Sequence, residues 1–110
     1  MFASASSHLQ SRAKSKVQKV GKVLANYPQT IVGVAGYTDN TGSYSYNQGL
    51  SQRRAATVGN LLAINGRPLT KGCSYNKPIA PNNSAKNKAL NRRVEVYLYA
   101  NQSNMTDPCR

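Results

Sequence analysis

The seven residues Ile31-Val32-Gly33-Val34-Ala35-Gly36-Tyr37 constrain this chain most. A short run without a charge, closed by the turn formers Thr38-Asp39-Asn40-Thr41-Gly42-Ser43, reads as a β-strand ending in a polar loop. Successive strand residues point to opposite faces, so a strand apolar on both faces belongs in the middle of a sheet. The rest of the chain must supply flanking strands and covering layers.

Helical periodicity lies on both sides of that run. Leu9, Ala13, Val17, Val20 and Leu24 recur at the spacing of one helical face, and Arg12, Lys14, Lys16, Lys19 and Lys22 fall on the solvated side. Ser6 or Ser7 is placed to cap this helix and Pro28 to end it. A second helix is expected with Ser51 as N-cap, Ala55, Val58 and Leu62 buried, Leu61 on the flank, and Gly66 and Pro68 as its stop. Residues 69–77 are a weak strand candidate around Cys73, and 78–91 a loop with at most one helical turn. From Arg92 to Tyr99, Val94, Val96 and Leu98 alternate with Glu95, Tyr97 and Tyr99, which predicts a half-buried strand. Asn101 to Arg110 is polar and expected to be loose. The order helix, strand, helix, strand, strand predicts an α+β fold, a two-layer sandwich with helices on one face of a small mixed sheet. Its 110 residues make one domain, residues 1–100, and a polar C-terminal tail, residues 101–110.

Charge narrows the chemistry. There are 15 Lys and Arg against three acids, Asp39, Glu95 and Asp107, for a formal charge of +12, and one histidine, His8. So few acids and bases argue against paired-carboxylate or triad catalysis, and no catalytic residue, metal or cofactor is expected. Cys73 and Cys109 lack the neighbours a zinc site needs; they are either one disulfide or two free thiols. No apolar run approaches the roughly 18–20 residues of a spanning helix. No export signal is visible, which leaves a cytoplasmic protein or a piece of a longer one. The positive surplus points to an anionic partner: nucleic acid, an acidic envelope polymer or a lipid surface.

Two residues stand out. With Ser51 as N-cap, Arg54 occupies N3, where exposed amides favour an acid. Its stem would pack on the flank of the buried stripe, with the guanidinium at the helix rim, suited to a carboxylate or phosphate. Asp39 directly follows the apolar strand. It either forms a turn with the amides of residues 40–42 or pairs with Arg54, or the two together hold a zwitterion, Asp39 on the ammonium and Arg54 on the carboxylate. Asn47, in the loop between them, is a further candidate. Arg92 shares the parity of Val94 and so starts on the buried side, where it can brace Asp39; Arg93 faces the other way.

Gly36-Tyr37-Thr38-Asp39-Asn40-Thr41-Gly42-Ser43, then Asn47 to Ala55 with Leu50-Ser51 and Arg54-Ala55, then Pro78-Ile79-Ala80-Pro81-Asn82, and Asn91-Arg92-Arg93-Val94-Glu95 resemble, in order and spacing, the OmpA-like peptidoglycan-binding domain. The resemblance implies a two-layer α/β domain whose first edge strand is truncated here to Phe2, with glycines preferred around Cys73-Ser74-Tyr75. It implies non-covalent binding of the diaminopimelate residue of the peptidoglycan stem peptide, tethering an envelope protein to the cell wall. Asp39 would take the ammonium and Arg54 the carboxylate, with Thr38, Asn47 and Leu50 lining the pocket and Arg92 supporting it. The implied location is the periplasm, at the cell wall and outer membrane of a Gram-negative bacterium, with outer-membrane or other envelope proteins as further partners and no specific nucleic acid. The alternative is a cationic nucleic-acid-binding domain that uses the basic face of the first helix.

Overall fold

The computed structural model describes residue 2, residues 6–62 and residues 68–110. Strand β1 (Ile31–Gly36) is central in a three-stranded sheet of order β2-β1-β3. Strand β2 (Leu69–Gly72) runs parallel to it, from Gly33 opposite Leu69 to Gly36 opposite Gly72. Strand β3 (Val94–Tyr99) runs antiparallel, from Ile31 opposite Tyr99 to Gly36 opposite Val94. Parallel neighbours need a crossover, and helix α2 (Tyr44–Leu62) supplies it.

Side-chain parity sorts the core into two layers. Val32, Val34 and Val94 face the helices, where they meet Val17 and Leu24 of α1 (Ser11–Leu24) and Ala55, Val58 and Leu62 of α2. Ala35 and Tyr37 face the other way and cluster with Cys73, Tyr97 and Cys109. The second face is covered by the C-terminal residues, which are not loose. Cys73 and Cys109 are joined in a disulfide, the Tyr37 hydroxyl donates to the Pro108 carbonyl at 2.9 Å, and Lys71 pairs with Asp107 at 3.0 Å. A 3-10 turn at Gln102–Asn104 begins this stretch.

Several boundaries differ from expectation. Helix α1 starts at Ser11 with Gln10 as its N-cap and no side-chain cap; the Ser6 hydroxyl accepts instead from the His8 amide. Val20 is 42 % exposed, and the buried stripe passes through Gly21. A Cβ on Gly21 would lie 2.1 Å from the Leu62 carbonyl oxygen, so the two helices touch backbone to backbone there. Helix α2 begins at Tyr44, about two turns before Ser51, which is therefore an interior residue and not the cap. Ser43 caps that end, its hydroxyl accepting from the Tyr46 amide and its carbonyl from the Asn47 amide. The predicted stop at Gly66 falls outside the described residues. A third helix, α3 (Ala85–Asn91), stands where a loop with at most one turn is expected, capped by Ser84. In β3 the parity holds, Val96 opposite Val34 and Leu98 opposite Val32, but Val96 is 36 % and Leu98 57 % exposed. Among the described residues no strand lies beyond β3. Phe2 forms an isolated bridge with Leu9 and is buried.

Candidate functional site

The site forms where β1 runs into the loop before α2. Thr38 and Asp39 are buried there. One Asp39 oxygen accepts from the Thr41 amide at 2.9 Å, closing the turn, and the other accepts from Arg92 Nη1 at 2.9 Å. Burial opposes ionisation of Asp39, but the Thr41 amide and the Arg92 guanidinium outweigh it and hold its carboxyl below the ordinary value. Asp39 is thus an acid kept charged by its own neighbours.

Helix α2 delivers the rest through one stripe, Asn47, Leu50, Ser51, Arg54, Ala55, Val58, Gly59 and Leu62, at helical spacing. Arg54 is fully buried in the middle of it. Its Nε donates to the Ser6 carbonyl at 2.8 Å, its Nη1 to the Tyr37 carbonyl at 3.2 Å, and its guanidinium lies over the Phe2 ring, 5.1 Å from the centroid. Burial, and next the nearby Arg92 charge, lower Arg54 to about 10, so it remains a cation at neutral pH. Asn47 sits in the first turn of α2, not in a loop, and its amide nitrogen donates to the Thr41 and Ser43 carbonyls at 2.8 and 3.0 Å. Leu50 is buried one turn from both Asn47 and Arg54. Arg92, just past α3, donates through Nε to the Phe2 carbonyl at 3.1 Å while it holds Asp39.

The structure therefore brings Asp39 and Arg92 into direct contact, and sets Arg54 against the carbonyl two residues before Asp39. The helix-terminus position expected for Arg54 is incorrect: it lies about three turns into α2, away from the macrodipole's strong end. What makes Arg54 unusual is a cation at the centre of a buried stripe.

Sequence reasoning missed the supports of this site. Ser51 accepts from the Ser74 amide at 3.0 Å, and the Ser74 carbonyl accepts from the Thr38 amide at 2.9 Å, which ties the loop after β2 to the site. Ser74 has φ 51°, a left-handed conformation that glycine adopts most readily, in keeping with the glycine preference noted above. Asn91, fully buried, accepts from the Ile79 and Ala80 amides and donates to the Ala80 carbonyl and Asn82, fixing the 78–82 loop beside Arg92. Its place in the Asn91-Arg92-Arg93 block was the one available signal.

Two guanidinium groups and one carboxylate gather at the end of β1, with main-chain carbonyls as partners of both arginines. A carbonyl can be exchanged for a carboxylate, which pairs with a guanidinium in bidentate fashion. The geometry suits recognition of a small charged group.

A parallel β1-β2 crossover with a third, antiparallel strand and helices packed against the sheet make this an α+β domain. The OmpA family model matches residues 1–92, and the chain belongs to that family. It is 43 % identical over 101 residues to the probable lipoprotein YiaD of Escherichia coli, covering 88 % of this chain and 46 % of the relative. It is 41 % identical over 88 residues to outer membrane porin F of Pseudomonas fluorescens, covering 76 % of this chain and 27 % of the relative. The chain thus spans less than half the length of either. Among solved structures, the cell wall anchor of the type VI secretion system (T6SS) from Pseudomonas aeruginosa superposes with a TM-score of 0.72 at 35 % identity, covering 87 % of this chain and 72 % of that one. The peptidoglycan-associated lipoprotein of Burkholderia pseudomallei gives 0.83 at 26 % identity, covering 89 % and 86 %.

Proposed function

We propose that this domain binds peptidoglycan without covalent chemistry, through the diaminopimelate residue of the stem peptide, and so holds an envelope protein to the cell wall of a Gram-negative bacterium. The observation that carries the reading is the buried Asp39, kept ionised by Arg92 and the Thr41 amide, with Arg54 of α2 held on the Tyr37 carbonyl two residues before it. Asp39 receives the ligand's ammonium. Arg54 receives its carboxylate, which takes the place of the Ser6 carbonyl on Nε. Thr38, Asn47 and Leu50 line the pocket, and Arg92 positions Asp39. The relatives described as a cell wall anchor and a peptidoglycan-associated lipoprotein support the polymer, and the zwitterionic geometry supports the residue within it.

Cosedimentation with purified sacculi tests this. Wild type is expected to pellet with diaminopimelate-containing sacculi, and Asp39→Asn and Arg54→Lys each to weaken binding about tenfold, since each removes one charge-assisted contact or its geometry. Sacculi that carry lysine at the same position lack the carboxylate for Arg54 and should bind less. Binding that ignores both substitutions and vanishes in moderate salt would be charge attraction alone and would sink the reading.

A further inference from the structure

The end of α3 sends two cations to one turn. Lys88 lies in the last turn of the helix and Arg92 caps it, the Arg92 amide donating to the Lys88 carbonyl at 3.2 Å. Side chains four residues apart share a helix face, and both of these reach the loop after β1. Arg92 holds the Asp39 carboxylate, and Lys88 Nζ donates to the Thr41 hydroxyl at 3.3 Å. The Thr41 amide in turn donates to Asp39. The Lys88 ammonium thus stands half-buried beside the Asp39 turn, with one of its three donors on a neutral oxygen. Lys86, two residues earlier, is exposed.

No acid of the chain answers Lys88, because all three are paired elsewhere, Asp39 with Arg92, Glu95 with Arg93 and Asp107 with Lys71. Asp39 is then the one negative group at the site, against the positive Arg54, Arg92 and Lys88. The end of a diaminopimelate side chain carries one ammonium and one carboxylate and is neutral. Bound on Asp39 and Arg54, it leaves the positive excess as it was. Arg92 keeps Asp39, and Lys88 keeps a hydroxyl. A carboxylate is a stronger acceptor for an ammonium than a hydroxyl is.

We propose that Lys88 binds a second free carboxylate of the stem peptide and makes the site prefer a peptide in which that group is ionised over one in which it is amidated. This rests on the binding mode proposed above for Asp39 and Arg54. Two carboxylates present the same chemistry to the ammonium: the α-carboxylate left free by a γ-linked glutamate before the diamino acid, and the one at the peptide's carboxyl end.

The probes are the free tripeptide L-alanyl-γ-D-glutamyl-meso-diaminopimelate and two derivatives, one amidated at the glutamate α-carboxylate and one at the carboxyl end, titrated by calorimetry into the full chain at about 150 mM salt. Wild type is expected to bind at least one of the amidated peptides about fivefold more weakly, and which one it is names the source of the carboxylate. Lys88→Gln should bind the unmodified tripeptide about fivefold more weakly than wild type and lose nothing further to that amidation. Lys88→Arg keeps the charge and should retain most of the affinity. Lys86→Gln removes the same charge from an exposed position of α3 and should change little. Equal affinity of wild type for all three peptides overturns the proposal and leaves the Asp39 and Arg54 reading intact. An amidation penalty that survives in Lys88→Gln overturns it too, as does one that Lys88→Gln and Lys86→Gln reduce alike, which is long-range attraction. Failure of wild type to bind any of the three overturns the diaminopimelate reading and this proposal with it.

Discussion

At the β2 edge of the sheet, glutamines from α2 reach over the strand. Gln48 donates to the Gly72 carbonyl at 2.7 Å, and Gln52 accepts from the Gly72 amide at 2.8 Å and donates to the Thr70 hydroxyl at 3.3 Å. At the β3 edge, no described residue does the same for Val96 or Leu98. The β2 edge is four residues long and carries Thr70 and Lys71; the β3 edge is six residues long and apolar on its helix side. A short, charged edge with its polar groups answered by side chains needs no further strand, whereas a longer apolar one invites pairing. Among the described residues, helix side chains thus answer the β2 edge and not Val96 or Leu98 of the β3 edge.

The largest effect should come from undoing the β2 side. The Cys73–Cys109 disulfide closes a sequence separation of 36 residues and holds the C-terminal segment on the Tyr37 face beside β2. Replacing both cysteines with serine, or reducing them, is expected to cost about 2–4 kcal/mol, read as the midpoint of urea unfolding with and without a thiol reductant. An unchanged midpoint would mean that this segment contributes nothing to closing the β2 side.

Next in size is the polar tie on the β3 side. Arg92, just ahead of β3, grips Asp39 at the end of β1, a contact of the kind worth about 1.5–3 kcal/mol. Asp39 has a folded pKa below its unfolded value, so its contribution is complete above the unfolded pKa and is lost as pH falls through the folded one. Stability and sacculus binding should therefore decline together below about pH 4. Thermal unfolding followed from neutral pH downward, with Asp39→Asn alongside, checks this; Asp39→Asn should start lower and show a shallower decline. Parallel curves for the two proteins would assign the acid sensitivity to other groups, Glu95 among them.

These two ties differ in how far the sequence discloses them. The central strand, the first helix and the parity of β3 follow from periodicity, because burial on one face leaves a direct trace in residue type. The start of α2 does not, since Asn47, Ser51 and Arg54 are polar residues placed on its buried stripe and interrupt the apolar pattern that marks a helix. The same inversion made Arg54 conspicuous, though for a wrong reason: it stands out by burial and not by its distance from a cap. Asp39 and Arg92 were found from position and parity. The Ser6, Phe2 and Tyr37 carbonyls that hold the arginines are main-chain groups, which no side-chain pattern records. The cover on the Tyr37 face is a contact between residues far apart in sequence, and a polar composition hid it.

A smaller effect is expected at Gln52. Gln52→Ala removes the acceptor of the Gly72 amide and the donor to Thr70 at the cost of about 1 kcal/mol. Exchange of the Gly72 amide should quicken while that of Gly33 and Ala35 in the central strand holds. If Gly72 stays protected, the helix side chain is not what finishes that edge.

The smallest change in stability, and the sharpest contrast, belongs to Leu98→Lys. Leu98 is more than half exposed and its neighbours in the cleft are themselves partly in water, so the substitution should shift stability by no more than about 0.5 kcal/mol. A lysine there extends the positive charge of α1 onto the exposed Val96 and Leu98, which raises the repulsion between copies. Light scattering at high protein concentration and salt, where the existing charges are screened, should therefore show less self-association for Leu98→Lys than for wild type. The equivalent change at the other edge, Leu69→Lys, should alter it little, because Leu69 is exposed on a strand whose last residues are already bound by Gln48 and Gln52. Equal effects at both positions would mean that the two edges differ in hydrogen bonding but not in what they attract.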